Sequence, residues 1–451
     1  MRASVGALLA TLHTGLALAA GPYESTYVPL PTETTLIRDV ALFTGNGNAL
    51  HQADVLLKDG RIAAITESGA TLAEPASGRV INGRGKWLTP GIIDVHSHLG
   101  TYPSPSVAST ADGNEATDPN TAEVWVEHSV WPQDPQFGLA LAGGVTTLHI
   151  LPGSANLFGG RGVTLKNVPA RTMQGMKFPG APQSLKMACG ENPKRVYGER
   201  MQAPMTRMGN VAGYRAAWAE AAAYRDQRQQ FESGEAEAPP DRNLALDTLA
   251  AVLDGEILVH NHCYRADEMA VMMDIAEEFG YAITAFHHAT ESYKIADLLA
   301  EAGICSAVWA DWWGFKLEAF DGITQNAALI DAAGACAIIH SDSEELIQRL
   351  NQEAAKAMTA GRRMGMATSD AQAMSWITGN AAKALGIAAE TGTLSVGKAA
   401  DAVLWDRHPF SVYARAEKVW IDGHLYYDRS DPTRQPVSDF DLGQTVAGGE
   451  R

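Results

Sequence analysis

A long alternation of short apolar runs and helical patterns constrains this chain more than any other feature of its sequence. Between about residues 89 and 385, runs such as GVTTLHILPG, EILVHNHCY and YAITAFHHA read as buried strands, and RADEMAVMMDIAEEFG and ESYKIADLLAEAG read as helices. Strand-helix alternation over about 300 residues predicts a (β/α)8 TIM barrel. A doubly wound open sheet is the alternative, but it normally has a glycine-rich phosphate loop after its first strand, and none is present here.

Both ends of the chain show a strand-and-turn pattern instead. Short alternating runs flank Asp59-Gly60 near the start and Asp422-Gly423 near the end, and these dipeptides are hairpin signals. We therefore expect the two ends to form one small composite β-domain, a β-sandwich, with the barrel inserted between them. The predicted boundaries are 21–88 with 386–440 for the β-domain and 89–385 for the barrel.

Two segments of the middle part do not fit the simple alternation. Residues 101–136 are rich in Pro, Ser, Asp and Asn, and they directly follow the first predicted barrel strand. We expect them to form a long loop at the rim where barrel active sites lie. Residues 195–245 read as an extra helical insertion with a polar tip at GEAEAPPDR.

The amino terminus has the pattern of an export signal. Arg2 precedes an apolar stretch, and the small residues Ala17, Ala19 and Ala20 follow it. We predict that residues 1–20 are a cleaved signal peptide, and that the mature protein is exported, to the periplasm in a Gram-negative source. Polar residues within the run make a permanent membrane anchor the weaker interpretation, so we expect no stable membrane insertion after cleavage.

Charge and cysteine content exclude several kinds of protein. The chain of 451 residues has a net charge of −17, which argues against nucleic acid or an anionic membrane as a partner. Its four cysteines stand apart without a CxxC pair, so the sequence indicates neither a zinc knuckle nor a disulfide framework. A chain of this length can bury enough apolar surface to fold without disulfides.

Ligand-capable side chains stand at the ends of several predicted strands. His96 and His98 close the first run, in IIDVHSHLG, and a spacing of two places both on one face of a strand. The carboxyl ends of barrel strands meet at one mouth, and imidazole and carboxylate groups suit Zn²⁺. The sequence therefore predicts a metal site at that mouth. The other pairs that close predicted strands are His260 with His262, His287 with His288, and Ser341 with Asp342.

With these motifs the sequence resembles the amidohydrolase superfamily, and within it the imidazolonepropionase-like and prolidase-like branch. The resemblance covers most of the chain after the signal, and its most specific elements are PGIIDVHSHLG and the closing GKAAD. It implies a metal-dependent hydrolase on a (β/α)8 barrel. Further matching segments are AGGVTTLHILPGS, LKMACGENPKR, HNHCYRADEM, FHHATESYKIADLLAEAG, IIHSDSEELIQRLNQEAAKAM and WITGNAAKALGI.

The resemblance also implies the metal ligands. His96 and His98 match the strand-one pair that binds the more buried metal, and Asp342 matches the strand-eight aspartate, which is both ligand and general base. Lys186 matches a strand-four lysine that is carbamylated in many members, since a carbamate is an anionic oxygen ligand whereas a free lysine repels a cation. The implied cofactor is one or two Zn²⁺ ions, and other divalent metals suit the same ligands. The remaining implied ligands are His262 and His288.

Three of these assignments have alternatives. Glu191 is a rival to Lys186 as the bridging ligand, because some members use a glutamate there. On strand five, His262 fits the family spacing better than His260, which then becomes a substrate-binding or supporting residue. On strand six, His288 in HATE matches better than His287.

Substrate contacts are less well defined by the sequence. Arg265, just beyond the strand-five histidines, is a candidate partner for a substrate carboxylate, with a plain surface ion pair as the alternative. Trp309, Trp312 and Trp313 follow a predicted strand end, and we expect them to line the pocket, with a place in the core as the alternative. The barrel core alone does not define the substrate.

The reaction implied by the resemblance is hydrolysis of a small amide, a cyclic amide or a dipeptide. Asp342 takes a proton from an activated water and returns it to the leaving amine. Deamination of a heterocycle is the alternative on the same fold. Two alternatives are not enzymes. One is a metal-free binding protein, and the other is an exported interaction module that uses residues 101–136. We expect a small-molecule partner, and the sequence leaves a homo-oligomer open.

Overall fold

A computed structural model describes residues 23–67 and 70–436 of the chain. The predicted signal peptide, residues 1–20, therefore lies outside the described residues. Within the described part, no helix combines the length and the apolarity that crossing a bilayer demands. The first five strands are β1 (Thr35–Phe43), β2 (Ala49–Lys58), β3 (Arg61–Ile65), β4 (Arg79–Asn82) and β5 (Trp87–Pro90).

Eight further strands form the second sheet, which nearly closes into a barrel. In this sheet each strand pairs with its neighbours in chain order, and the backbone N–H of Asp342 donates to the carbonyl of His96 across the seam, at 3.0 Å. The strands are β6 (Ile92–Ser97), β7 (Val145–Ile150), β8 (Phe158–Lys166), β9 (Ser184–Ala188), β10 (Leu258–His262), β11 (Ile283–His287), β12 (Cys305–Val308) and β13 (Cys336–Ile339).

Helices pack around this sheet and bury its outer face, and the long helix α3 (Arg207–Glu232) forms the main part of the helical insertion predicted at 195–245. Gly280 ends α5 (Ala266–Phe279) in the left-handed conformation, with φ of 74°, as a glycine C-cap does. The helices are α1 (Pro135–Ala142), α2 (Glu191–Gly198), α3 (Arg207–Glu232), α4 (Leu244–Leu253), α5 (Ala266–Phe279), α6 (Ala296–Glu301), α7 (Asn326–Ala332), α8 (Leu350–Arg363), α9 (Asp370–Ser375) and α10 (Gly379–Ala384).

The barrel differs from the predicted regular alternation at its third strand. β8 runs antiparallel to both β7 and β9, and no α-helix lies between these three strands; a short 3-10 helix, Met173–Gly175, precedes β9. The sequence did not indicate this strand, because its first residues, FGGRG, are too rich in glycine to resemble a buried strand. A strand reached without a crossover helix must run back along its neighbour, so its direction is reversed.

The last three strands, β14 (Ala402–Trp405), β15 (Ala416–Ile421) and β16 (His424–Asp428), join β1–β5 in one sheet. The junction is the antiparallel pair of β5 and β14. Both ends of the chain thus contribute to a common sheet, as the sequence indicated. All eight strands belong to this one hydrogen-bonded sheet, so the predicted sandwich of two sheets is not confirmed, and the domain boundaries stay a prediction.

The four cysteines form two disulfides, Cys189 with Cys263 and Cys305 with Cys336. The expectation of no disulfide framework is therefore wrong. Each bond joins neighbouring barrel strands: the first links the residues just beyond β9 and β10, and the second links residues paired in register between β12 and β13. The partners are 74 and 31 residues apart in the chain, so only strand pairing brings them together.

Candidate metal centre

The residues predicted as metal ligands converge at one end of the barrel. His96 lies near the end of β6 and His98 just beyond it, His262 ends β10, and His288 directly follows β11. Asp342 stands three residues after β13, beside the seam between the last strand and the first. Because parallel strands present their carboxyl ends to the same mouth, five separate chain segments supply one cluster. The fifth segment is β9, which carries Lys186.

Asp342 is the centre of this cluster. One of its carboxylate oxygens lies 3.2 Å from His98 Nε2 and 3.5 Å from His96 Nε2, and the other lies 3.7 Å from His288 Nδ1. Two overlapping sets, His96 with His98 and Asp342, and His96 with His288 and His340, each place all their ligand atoms within 4.8 Å of one another. The donors are imidazole nitrogens and a carboxylate oxygen, which is the chemistry that Zn²⁺ and similar divalent ions prefer.

Buried and unsatisfied nitrogen atoms support the fit to a cation. His262 is buried, its Nδ1 lies 2.8 Å from the Ser154 hydroxyl, and its Nε2 has no hydrogen-bond partner within the described part of the chain. Burial lowers the pKa of His96, His262 and His288 well below the ordinary value. Burial therefore favours the neutral form of these rings, which is the form that coordinates a metal.

Lys186 is fully buried beside the same cluster. Its Nζ lies 3.5 Å from His96 Nε2 and donates a hydrogen bond of 3.0 Å to the carbonyl of Pro152. Burial lowers the pKa of Lys186 to about 7, since a charged ammonium is poorly solvated there. The side chain thus stands where the resemblance places a bridging ligand.

Glu191 does not reach the cluster. It begins α2, and its carboxylate lies 3.6 Å from Lys316 Nζ. It belongs to neither of the two ligand sets that include His96. The geometry therefore favours Lys186 over Glu191 as the strand-four ligand.

A chain of buried histidines stands behind His96 and holds it in place. His287 Nδ1 lies 2.9 Å from His96 Nδ1, and His287 Nε2 lies 2.8 Å from His260 Nδ1. When His96 donates from Nδ1 to His287 and His287 donates from Nε2 to His260, the lone pair of His96 Nε2 stays free, and that nitrogen is the one that faces Asp342. Such outer hydrogen bonds orient ligands and select their tautomer. His260 and His287 therefore lie behind the ligands, and His260 is absent from the cavity wall that a substrate would touch.

The backbone is strained at two of the cluster residues. His288 has φ of 56° and Asp342 has φ of 51°, in the left-handed region that non-glycine residues rarely adopt. Conformations of this kind persist where the surrounding structure enforces them, often at functional sites.

A cavity of about 310 Å³ opens directly onto the cluster. His98, His262, His288 and Asp342 form its floor. Trp309 and Trp312 line it, as predicted, whereas Trp313 does not and is 58% exposed. The predicted rim loop contributes Tyr102 and Asn114, and the remaining wall includes Tyr264, Phe315 and Lys316.

Arg265 lies outside this cavity. Its guanidinium pairs with Asp267, two residues on, through contacts of 2.8 and 2.9 Å. The side chain is 40% exposed and does not line the cavity. The structure therefore shows the plain surface ion pair that the sequence left as the alternative.

His340 is a site residue that the sequence interpretation missed. It is buried, its Nε2 lies 2.7 Å from His288 Nδ1, and its ring packs against Trp309. It directly follows the apolar run of β13 in IIHSDS, and this position at a strand end is the same signal that marked the other histidines.

The fold and the site are those of a barrel-type hydrolase with a candidate metal centre, and the comparisons identify the family. The model of the Amidohydrolase family matches residues 87–428, and the chain belongs to this family. An amidohydrolase from Thermotoga maritima has a similar crystal structure, with 33% sequence identity and a TM-score of 0.80, covering 88% of this chain and 100% of that one. This confirms the resemblance seen in the sequence.

Curated relatives are similar over different lengths. Amidohydrolase tasK of Hapsidospora irregularis is 31% identical over 447 residues, which cover 91% of this chain and 45% of tasK. The chain thus spans about half the length of that relative. Imidazolonepropionase of Brucella anthropi is 26% identical over 378 residues, covering 79% of this chain and 87% of that protein. An adenosine deaminase from Xanthomonas campestris, at 17% identity and a TM-score of 0.54, shares the fold alone.

Proposed function

We propose that this protein hydrolyses a carbon–nitrogen bond in a small amide, a cyclic amide or a dipeptide. The observation that carries the proposal is the position of Asp342, whose carboxylate touches three imidazoles and also faces the cavity. A carboxylate in this position can take part in ligation and in proton transfer at the same time. Deamination remains the alternative, because the same cluster suits attack of water on an amino-substituted ring carbon.

The ligands we assign to a divalent cation, Zn²⁺ foremost, fit it by donor type and by burial. Bound there, the ion would activate water and polarise a carbonyl. Lys186 would contribute after carbamylation, in which its neutral amine takes up CO₂ and releases a proton, so that an anion replaces a cation beside His96. The assigned residues are His96, His98, Lys186, His262, His288 and Asp342.

The protein's own groups have distinct tasks in the proposed reaction. Asp342 accepts the proton of the attacking water on a carboxylate oxygen and delivers it to the departing nitrogen. His287 and His260 keep the His96 ring fixed, so that the geometry is set before substrate arrives. Trp309, stacked on His288, excludes water from one side. The products are a carboxylic acid and an amine.

A library of N-acyl amino acids, dipeptides, cyclic amides and aminated heterocycles, screened with metal-reconstituted protein, tests this function. Mass spectrometry detects the new acid and amine, and release of ammonia alone from a heterocycle identifies a deaminase. Asp342→Asn should lower turnover by about 10²-fold or more, while Asp321→Asn, an exposed carboxylate paired with Lys294, should not. Hydrolysis that persists at the normal rate in Asp342→Asn would contradict the assignment.

We also propose that the protein is exported. Two observations support this: the signal-like pattern of residues 1–20 and the two disulfides, which form and persist in oxidising compartments. Fractionation of cells that express the full chain, with amino-terminal sequencing of the mature protein, tests it. Recovery of an uncleaved chain in the cytoplasm would refute it.

A further inference from the structure

Part of the cavity wall is built from α2 and the segment that follows β12. Lys316 donates a hydrogen bond of 2.9 Å to the side-chain oxygen of Asn192, and Glu318 accepts one of 2.8 Å from the backbone of Glu191. Gly190 precedes the helix with φ of +76°, and a Cβ there would lie 2.5 Å from the Glu318 carboxylate. The close approach of Gly190 to Glu318 needs glycine, because a side chain there would overlap the carboxylate.

Lys316 supplies the one ammonium group among the described residues that line the cavity. Its Nζ lies 4.7 Å from the ring centre of Tyr264 and 5.4 Å from that of Phe315, contacts that hold a cation over aromatic faces. An ammonium has three N–H donors. Asn192 accepts a hydrogen bond from one of them. The Glu191 carboxylate, which is not part of the cavity lining, lies 3.6 Å from Lys316 Nζ and faces a second. A third donor therefore remains for a ligand.

A planar wall runs from the histidine cluster toward the cavity mouth. The Trp309 ring stacks on His288, with centres 4.5 Å apart and planes 25° apart. Trp312 stacks on Trp309 in turn, at 5.3 Å and 26°. Trp309 is buried, whereas Trp312 is 39% exposed, so a flat group that enters the mouth has an aromatic face to cover.

We propose that the substrate is an anion, with a carboxylate that Lys316 and Asn192 bind and an aromatic group that packs against Trp309 and Trp312. This inference rests on the proposed function and adds the substrate class to it. It moves carboxylate recognition from Arg265, which lies outside the cavity, to Lys316, which lines it. Lys316 thereby determines which amides are accepted.

The test measures binding, which does not depend on turnover. The probes are 3-phenylpropionate and its neutral analogue 3-phenylpropionamide, titrated into full-length protein while tryptophan fluorescence is followed. Measurements on metal-loaded and on chelator-treated protein separate binding at Lys316 from coordination of the carboxylate by a metal. We expect the acid to bind more tightly than the amide by about tenfold or more in both forms, as a charge-assisted hydrogen bond predicts.

Variants of Lys316 locate this preference. Lys316→Met should remove the preference for the acid and leave binding of the neutral amide unchanged, and Lys316→Arg should retain much of it. Lys294→Met is the matched control, because Lys294 is a partly exposed lysine outside the cavity, and it should keep the full preference. Trp312→Ala should weaken the acid and the amide alike, since it removes stacking only.

Equal affinity of the acid and the amide for the unaltered protein would overturn the proposal. A preference for the acid that survives in Lys316→Met would also overturn it, and so would the absence of binding of either probe at millimolar concentration. Failure of the proposed function is a separate result: no amide is hydrolysed in the library although the acid still binds through Lys316. Conversely, hydrolysis of neutral and anionic amides at equal rates would preserve the function and reject this specificity.

Discussion

Lys166 connects the barrel to the sheet formed by the chain ends, and its replacement tests that connection. The residue ends β8 and is 4% exposed. Its Nζ lies 2.8 Å from Asp422 and 3.8 Å from Asp401, the aspartate of the GKAAD motif. Asp401 also accepts hydrogen bonds from the Asp422 backbone and the Thr391 hydroxyl, at 2.8 and 2.7 Å. Lys166→Met would leave two carboxylates there without their cation.

The expected cost follows from burial. Removing one partner of a buried ion pair costs about 3–5 kcal/mol, whereas an exposed pair contributes at most about 1 kcal/mol. With an unfolding entropy of about 2.1 cal/mol/K per residue, Lys166→Met should lower the Tm of a chain this long by about 3–5 °C. Arg215→Met is the control, because Arg215 makes a bidentate pair with Glu278 in which both side chains are about half exposed, and its Tm should fall by about 1 °C or less.

Differential scanning calorimetry at one fixed scan rate measures both variants, since large proteins often unfold irreversibly. Adding Asp422→Asn to Lys166→Met should restore part of the lost Tm, because one uncompensated carboxylate is then removed. A Tm for Lys166→Met within 1 °C or so of the control variant would refute the reasoning that this buried pair joins the two sheets.

Three further outcomes are expected. His262→Ala should lose bound metal after dialysis against a weak chelator. His260→Ala should weaken metal affinity by only about 10–100-fold, as loss of a residue that supports a ligand does. Equal loss of metal in both variants would contradict the assignment. Burial raises the pKa of Glu268, beside Arg207, to about 7. The stability that the protonated Glu268 side chain contributes is therefore fully present below about pH 4.5 and is lost as the pH rises through about 7. The Tm of Glu268→Gln relative to the unaltered protein should therefore improve between about pH 5 and pH 8, and a pH-independent difference would argue against this. Protein produced in an oxidising compartment should show no free thiol after unfolding without reductant and four after reduction; four thiols without reductant would show that the disulfides do not form.

Much of the fold and of the site was accessible from the sequence because the relevant signals are local. The strand period of two placed His96 and His98 on one face, and the polar end of each apolar run marked a strand's carboxyl end. Asp59-Gly60 and Asp422-Gly423 form the turns they indicated, with positive φ at all four residues. Ligand positions beyond these came from the family resemblance, which supplied Lys186 and the choice of His288.

Other features depend on neighbours that are distant in the chain. The glycine-rich β8 gains its strand character from pairing with β7 and β9, and reverses direction because no helix precedes it. Cys305 and Cys336 meet only through the register of β12 and β13.

The sequence by itself determined the alternating barrel pattern, the strand-end histidines and the turns, since each depends on residues within a few positions of one another. The tertiary structure alone decided that His287 supports His96, that Arg265 lies outside the cavity and that Lys316 lies within it. These placements depend on how strands and loops from separate segments come together at the barrel mouth. That arrangement is set by packing across the whole chain, and no local spacing encodes it.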